Sequence, residues 1–217
     1  KKFITYIALG LAVAFGATSC NQDNTLAEGK GEFSLKVLFD DQTRATAEEL
    51  AADCTINIYN SEGLIRTYKG IDAVPEKMWL VTGDYRCDIL AGKESAASFT
   101  DKSYKGSKEF TITAGNVTNV EVVAKVNNAI TQVTFDQTVA ENFNDGYSLT
   151  IGLDAEKQLV YDASKSGAEG YFIVAGLVEP TFRWTFSGTL AKDGSAFTKT
   201  GVIDNVEAGK LYKMNMK

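Results

Sequence analysis

The side chains that most often carry catalysis are sparse in this chain of 217 residues. Histidine is absent, so the commonest general base and metal ligand is missing, and no Ser-His or Cys-His pair can form. Carboxylates cluster at Asp40-Asp41 and Glu48-Glu49, and Asp145 is a further candidate for the paired acids of a glycosidase. The first pair is adjacent at the predicted end of a strand, where a solvated turn explains it better. The sequence therefore predicts no catalytic residue.

Metal and cofactor motifs are equally weak. Two Asp-Gly segments, residues 143–147 and 191–195, offer oxygen atoms of the kind that Ca²⁺ prefers, but they lack the spaced acids of a strong site. Hairpin turns account for both segments better. The chain has no phosphate-binding glycine loop. We expect no metal and no cofactor.

Two cysteines lie within predicted strands. Cys54 is in phase with Ile56, and Cys87 is in phase with Ile89, so both thiols face a predicted core. In an exported protein they are candidates for a disulfide. Buried free thiols that pack as small hydrophobic groups are the alternative. Two thiols without a histidine leave zinc under-coordinated, so a zinc site is disfavoured.

The third cysteine, Cys20, follows a segment typical of a bacterial export signal, residues 1–19. Two lysines precede an apolar run at 3–15 that is shorter than a membrane-spanning helix requires. The small residues that lead into Cys20 resemble the lipobox of bacterial lipoproteins. The resemblance implies acylation of the Cys20 thiol and of the new amino terminus, because two or three acyl chains anchor stably where one does not. The alternative is a leader that contains a cysteine by chance.

Residues 20–30 are mostly polar and form a predicted lipidated tether between the anchor and the first strand. This arrangement predicts an outer-membrane lipoprotein, bound to the membrane through its lipid, at the cell surface or facing the periplasm. The net charge of −6 and pI near 4.8 repel phosphate backbones, so nucleic acid is excluded as a partner.

Beyond the tether, apolar residues alternate with polar ones. Turn sequences at 60–63 and 193–194 separate such runs, about seven of which precede residue 127 and about seven of which follow it. Two short helices are predicted, because Thr46 and Thr138 are each followed three residues later by glutamate. We predict an all-β fold with two β-sandwich lobes, 31–127 and 128–217. One larger sandwich is the alternative.

The order of these segments resembles a Bacteroidetes family of exported lipoproteins of unknown function, similar to the fimbrillin-like (Mfa-like) pilus subunits. The segments that carry the resemblance are GKGEFSLKV, TINIYNSEG, VTGDYRCDILAG, YKGSKEFTITAGNVTNVEVVAKVNNAITQVTFDQ and VEAGKLYKMNM. The resemblance implies two transthyretin-like or immunoglobulin-like lobes. It also implies assembly in which an arginine-specific protease cuts after the first strand, and a strand from the next subunit fills the groove.

Two places in the chain match that mechanism. Arg44 and Ala45 follow the first strand in a polar loop and are the candidate processing site. The terminal segment KLYKMNM, with Tyr212, Met214 and Met216 on one face, is the candidate donor strand. The partners would be other pilus subunits or copies of this chain. Alternatively, Arg44 is an ordinary exposed arginine, and the terminal strand completes its own sheet.

Aromatic residues leave a second class of function open, a glycan- or protein-binding surface lipoprotein that stays monomeric. Trp79 has apolar neighbours on both sides and is the candidate for stacking on a sugar ring. Trp184 alternates with Phe182 and Phe186, which favours a place in the core. The full set of candidates for an aromatic platform is Trp79, Tyr104, Tyr147, Tyr161 and Trp184.

Overall fold

The computed structural model describes residues 4–6, 29–40 and 47–217. About 58% of the chain is strand and 9% is helix, so the predicted all-β fold is confirmed. The elements, in chain order, are β1 (Ile4–Tyr6), β2 (Lys30–Phe39), α1 (Ala47–Asp53), β3 (Thr55–Asn60), β4 (Gly63–Lys69), β5 (Met78–Val81), β6 (Gly83–Gly92), β7 (Ala97–Ser98), β8 (Ser103–Ile112), β9 (Val117–Val126), β10 (Asn128–Phe135), α2 (Gln137–Asn142), β11 (Ser148–Gly152), β12 (Gln158–Tyr161), β13 (Glu169–Ile173), β14 (Phe182–Thr189), β15 (Ala196–Ile203) and β16 (Leu211–Met216).

The described chain forms two compact units. Unit 1 contains the described residues up to Gly92 together with Tyr104–Lys125, and unit 2 contains Lys93–Ser103 together with Val126–Lys217. The sequence predicts residues 93–103 in the first lobe, whereas their contacts lie in unit 2. The lobes 31–127 and 128–217 stay a prediction.

Unit 1 is one sheet with the strand order β1-β2-β9-β8-β6-β3-β4, and β5 also pairs with β2. The Tyr68 hydroxyl in β4 donates to Met78 Sδ in β5 at 3.7 Å, so the sheet curls until strands from its two ends meet. Alternation of apolar and polar residues sends every second side chain into the enclosed core. Phe39 and Tyr104 meet there edge to face, with ring centroids 5.9 Å apart.

Unit 2 is a sandwich of two four-stranded sheets, β16-β10-β13-β7 and β12-β11-β14-β15. Rings from the two sheets interlock, since Phe172 of β13 and Phe182 of β14 have centroids 4.8 Å apart. The short strand β7 comes from the 93–103 segment and pairs with β13, Ala97 opposite Phe172. The segment thereby supplies one edge of a sheet whose other strands follow residue 127.

The predicted turns and short helices are present, with one change. Asn60 Oδ1 accepts from the backbone N–H of Glu62 at 2.9 Å in the first hairpin turn, and Asp193 Oδ1 does the same for Ser195 at 3.0 Å. Helix α2 is capped by Asp136, whose side chain accepts from the backbone N–H of Thr138. Thr138 is therefore inside the helix, and its predicted role as the cap is wrong.

A buried polar cluster fixes the middle of unit 2. The Tyr161 hydroxyl donates to the Thr131 carbonyl at 3.0 Å and lies 2.7 Å from Thr131 Oγ1. A Cβ atom at Gly170 would lie 2.4 Å from that hydroxyl, so this position has room for glycine only. Burial raises the pKa of Tyr161 to about 12, although the hydrogen bond to Thr131 opposes the shift.

This pKa predicts a loss of stability in alkali. The unfolded phenol releases its proton near pH 10, whereas the folded protein holds it until about pH 12. The stabilising contribution is therefore complete below about pH 10 and is lost as the pH rises toward 12. Urea unfolding across this range should show a smaller decline in free energy for Tyr161→Phe than for the wild type. Tyr171→Phe, at a half-buried hydroxyl in the same unit, is the matched control, and equal declines in all three proteins would contradict the prediction.

Candidate functional site

Strand β2 pairs with two different strands, β9 and β5. It runs parallel to β9, with Glu32 opposite Val117 and Phe39 opposite Ala124. Its first four residues pair antiparallel with β5, from Lys30 opposite Val81 to Phe33 opposite Met78. Both backbone edges of β2 are therefore engaged near its start.

The two faces of β2 have opposite characters. Its inward face is a continuous apolar row that unit 1 buries almost completely: Phe33, Leu35, Val37 and Phe39. Phe33 stacks obliquely on Phe110, with ring centroids 5.0 Å apart. On the outward face Lys36 forms an ion pair with Glu121 of β9 at 2.7 Å. The inward row carries the stability of the strand, since an exposed ion pair contributes little.

Parallel pairing has a topological consequence for β2. Antiparallel neighbours can be joined by a tight hairpin, but parallel neighbours need a long crossover. No hairpin links β2 to β9, so β2 could leave its position without the opening of a turn. The chain beyond β2 runs through residues 41–46, where the candidate processing site Arg44 and Ala45 lies outside the described residues. Cys20 also lies outside them.

The terminal strand β16 has the same kind of pairing in unit 2. It runs parallel to β10, from Leu211 opposite Ile130 to Met216 opposite Phe135, and stands at the end of its sheet. Its half-buried side chains Tyr212, Met214 and Met216 pack against the core of unit 2. The segment thus completes its own sheet in this structure, and its role as a donor strand stays a prediction.

The structure does not bring the two described cysteines together. Cys87 of β6 lies opposite Ile58 of β3. Ile58 is four residues from Cys54, and four residues of extended chain span about 13 Å. A disulfide needs Cα atoms within about 7 Å. Both are buried free thiols. Burial raises the pKa of Cys54 to about 11 and the pKa of Cys87 to about 12.

Among the candidate carboxylates, Asp40 and Glu49 lie in unit 1 and Asp145 lies in unit 2, while Asp41 lies outside the described residues. Within the described residues, no group of three or more His, Cys, Asp or Glu side chains could hold a metal. Asp145 lies in an exposed turn. Tyr104 and Tyr161 are fully buried in different units, Tyr147 is nearly so, and Trp184 packs against the core of unit 2. The five aromatics therefore share no platform.

Trp79 differs from the other aromatics in the predicted platform because 46% of it is exposed. It lies in β5 directly opposite Glu32 of β2. Glu32 also lines a cavity of about 230 Å³, whose other walls include Ser34, Asn119 and the connection between β4 and β5. The sequence indicates Trp79 but not this cavity, because no local pattern encodes how a connecting loop packs over a sheet.

Within the described part of the chain, no helix is long and apolar enough to span a membrane.

Comparison with known proteins gives a family and a fold. The family model described as a domain of unknown function (DUF4493) matches residues 29–217. No curated protein matches the chain. A solved structure from Bacteroides ovatus, described as a "putative adhesin", is 10% identical, with 86% of this chain and 87% of that chain covered and a TM-score of 0.52. This similarity shows a shared fold.

Two further solved structures are less similar. A "putative cell adhesion protein" from Bacteroides eggerthii is 10% identical, with 86% of this chain and 85% of that chain covered and a TM-score of 0.49. A structure from Bacteroides thetaiotaomicron, described as "putative polysaccharide binding proteins (DUF1812)", is 11% identical over 78% of each chain, with a TM-score of 0.44.

Burial of the thiols makes a testable prediction. In a Cys20→Ala background, Cys54 and Cys87 should not react with an aromatic disulfide reagent near pH 8, because they are inaccessible and carry almost no thiolate. Both should react after unfolding in urea without a reductant. Ser61→Cys, in the exposed turn between β3 and β4, is the reactive control. Thiols that appear in urea only after reduction would reveal a disulfide and overturn the prediction.

Proposed function

The chain belongs to the family described as a domain of unknown function (DUF4493), and from that premise we propose that it is a non-enzymatic structural or adhesive protein of the bacterial cell envelope. The observation that carries the proposal is the pairing of β2, a strand that completes an apolar core without a hairpin to hold it. The fold shared with the Bacteroides ovatus "putative adhesin" supports the same role.

The finer proposal is a pilus subunit that assembles by strand exchange. A protease specific for arginine would hydrolyse the peptide bond between Arg44 and Ala45, with water as the second reactant. The segment that contains β2 could then leave, and its departure would expose the apolar groove and the unpaired backbone of β9 and β5. The apolar groove is costly to leave in water, and the free strand edges can form backbone hydrogen bonds, so the groove would bind an extended strand with alternating apolar residues.

The donor in this proposal is β16 of another copy. Tyr212, Met214 and Met216 have the period-two spacing that the row from Phe33 to Phe39 shows in the resident strand. Because β16 pairs only at the end of its own sheet and in parallel, it too can leave without a hairpin being broken. One chain would therefore offer both a groove and a strand to fill the next groove.

The place of the protein in the envelope is part of the proposal. Acylated Cys20 would anchor it in the outer membrane, and residues 20–30 would hold unit 1 away from the lipid, at the cell surface or on the periplasmic side. The mature amino terminus distinguishes an anchored chain from a processed subunit. Acylated Cys20 indicates an anchored chain, whereas Ala45 indicates a processed subunit. An intact bond between Arg44 and Ala45 in polymer recovered from cells would overturn processing.

A second candidate function is a binding module that stays monomeric and anchored. The half-exposed Trp79 favours it, because the residue opposite Trp79 in the sheet, Glu32, lines a cavity. Such a protein would keep β2 in place and would bind its ligand without proteolysis. Oligomers that resist separation on gels would distinguish the pilus subunit from this module.

A disulfide across β2 and β9 tests strand exchange directly. Lys36 and Glu121 are directly opposite each other on the outward face, where Cα atoms have a separation that suits a disulfide. We expect the double variant Lys36→Cys/Glu121→Cys, oxidised, to form at least an order of magnitude less polymer in the producing bacterium. Reductant should restore the polymer, as measured by oligomer ladders on gels.

The matched control is a disulfide that locks a pair with no role in exchange. Thr150 and Thr185 are opposite each other in β11 and β14 of unit 2, and the variant Thr150→Cys/Thr185→Cys should assemble normally. Full assembly by the oxidised β2 lock would contradict strand exchange. The buried thiols Cys54 and Cys87 should not interfere, since neither is accessible in the folded chain.

A further inference from the structure

We propose that unit 1 has a binding site for one ring of a neutral saccharide, formed by Trp79 and by the cavity whose walls include Glu32, the residue opposite Trp79 in the sheet. We call it the Trp79 site and define it by Trp79, Glu32, Ser34, Asn119 and Lys77. The proposal rests on the adhesive part of the proposed function and names its ligand class. It does not depend on strand exchange.

The strand register places the key side chains together. Glu32 is opposite Trp79 in β5 and also opposite Val117 in β9. Directly paired residues project to the same face of a sheet, with Cβ atoms about 5 Å apart. An indole, a carboxylate and an apolar side chain thus form one row across three strands. Ser34 and Asn119, also paired, form the next outward row.

The outward face around this row exposes several apolar side chains. Trp79 is 46% exposed, Val117 is 56% exposed, and Val81, opposite Lys30, is 57% exposed. Single exposed apolar residues need no explanation, but three of them on one face, one of them an indole, give that face an apolar surface that a ligand can cover. An indole offers a rigid flat surface for the C–H face of a sugar ring, and it loses little entropy on binding.

The walls of the cavity supply polar groups that can form hydrogen bonds with a sugar. It is bounded on one side by Glu32, Ser34 and Asn119, and on the other by the loop that includes Pro75 and Lys77. Carboxylate and amide oxygens accept from sugar hydroxyls, while the amide, ammonium and serine hydroxyl groups donate to them. A few polar groups that converge beside an apolar surface are typical of small-ligand sites.

The volume of the cavity and the charge of its walls restrict the class of ligand further. The cavity measures about 230 Å³, below the roughly 300–1,000 Å³ of pockets that enclose a whole small molecule. It suits one ring of a longer glycan whose remainder stays in solvent. Glu32 and Glu76 outnumber Lys77 among the charged side chains of the walls, so uronic and sialic acids would be repelled. The ligand class is therefore a neutral glycan.

The chain provides its own reporter for this site. Its two tryptophans are Trp79 and Trp184, and Trp184 is packed against the core of unit 2. In the variant Trp184→Phe, indole fluorescence comes from Trp79 alone. Titration with neutral hexasaccharides of glucose, xylose, mannose and N-acetylglucosamine should give a saturable change in intensity or wavelength for at least one of them.

Variants then assign the binding to the named side chains. For the sugar that binds, calorimetry on the full chain should show at least about a tenfold weaker Kd for Trp79→Ala and for Glu32→Gln, which is about 1.4 kcal/mol or more. Leu64→Ala, which removes an exposed apolar side chain from β4 of the same unit, should leave Kd unchanged. Thermal unfolding of each variant confirms that it is folded.

Several results would overturn the site: no response of Trp79 to any of the four sugars, equal binding by Trp79→Ala, or tighter binding of the corresponding uronic acid oligomers. A response to protein concentration without sugar would assign the row to contact between copies and would also overturn it. The proposed function has its own readout in the polymer ladder and the amino terminus, so either idea can fail without the other.

Discussion

The parallel pairing between β2 and β9 is the interaction on which unit 1 depends. Through it one strand supplies a complete inward row, from Phe33 to Phe39, to a core that the other strands enclose. A long apolar row buried on one side contributes several kcal/mol, and the backbone hydrogen bonds fix its register. The same pairing has no hairpin, so the strand is held by burial and hydrogen bonds and not by a turn. Strand β2 is thus held strongly by its buried side chains and hydrogen bonds, yet no turn ties it to its neighbours.

Unit 2 repeats this arrangement in a weaker form. The parallel strand β16 buries Tyr212, Met214 and Met216 only partly, whereas β2 buries its whole inward row. The buried area differs because β16 stands at the end of a sheet, while β2 has strands on both sides. A strand with less buried area costs less to withdraw. This asymmetry fits β16 as the donor strand and the groove left by β2 as the site that accepts it.

The fold was largely predictable from the sequence because the patterns that specify its strands and turns are local. Period-two alternation located the inward row of β2, and the Asn60 and Asp193 turns located two hairpins.

Strand pairings between distant parts of the chain were not predictable. The pairing of Ala97 with Phe172 moves residues 93–103 into unit 2, and no local pattern indicates that. The cap of α2 was misplaced because Asp136 and Thr138 are both good caps, and only the backbone geometry distinguishes them. For the site, the sequence indicated Trp79 but not Glu32, whose role follows from strand register.

The two functional proposals meet in β2 itself. Its inward side chains fill the groove, while its outward Glu32 and Ser34 form one wall of the Trp79 site. Strand β5, which carries Trp79, pairs with β2. Withdrawal of β2 would therefore remove two polar groups from the site and leave the indole on a strand without that partner. A donor strand that restored the groove would bring its own outward residues, and the segment from Leu211 to Met216 has no carboxylate. If both proposals hold, saccharide binding at Trp79 would belong to the chain that keeps β2 in place, and strand exchange would switch it off.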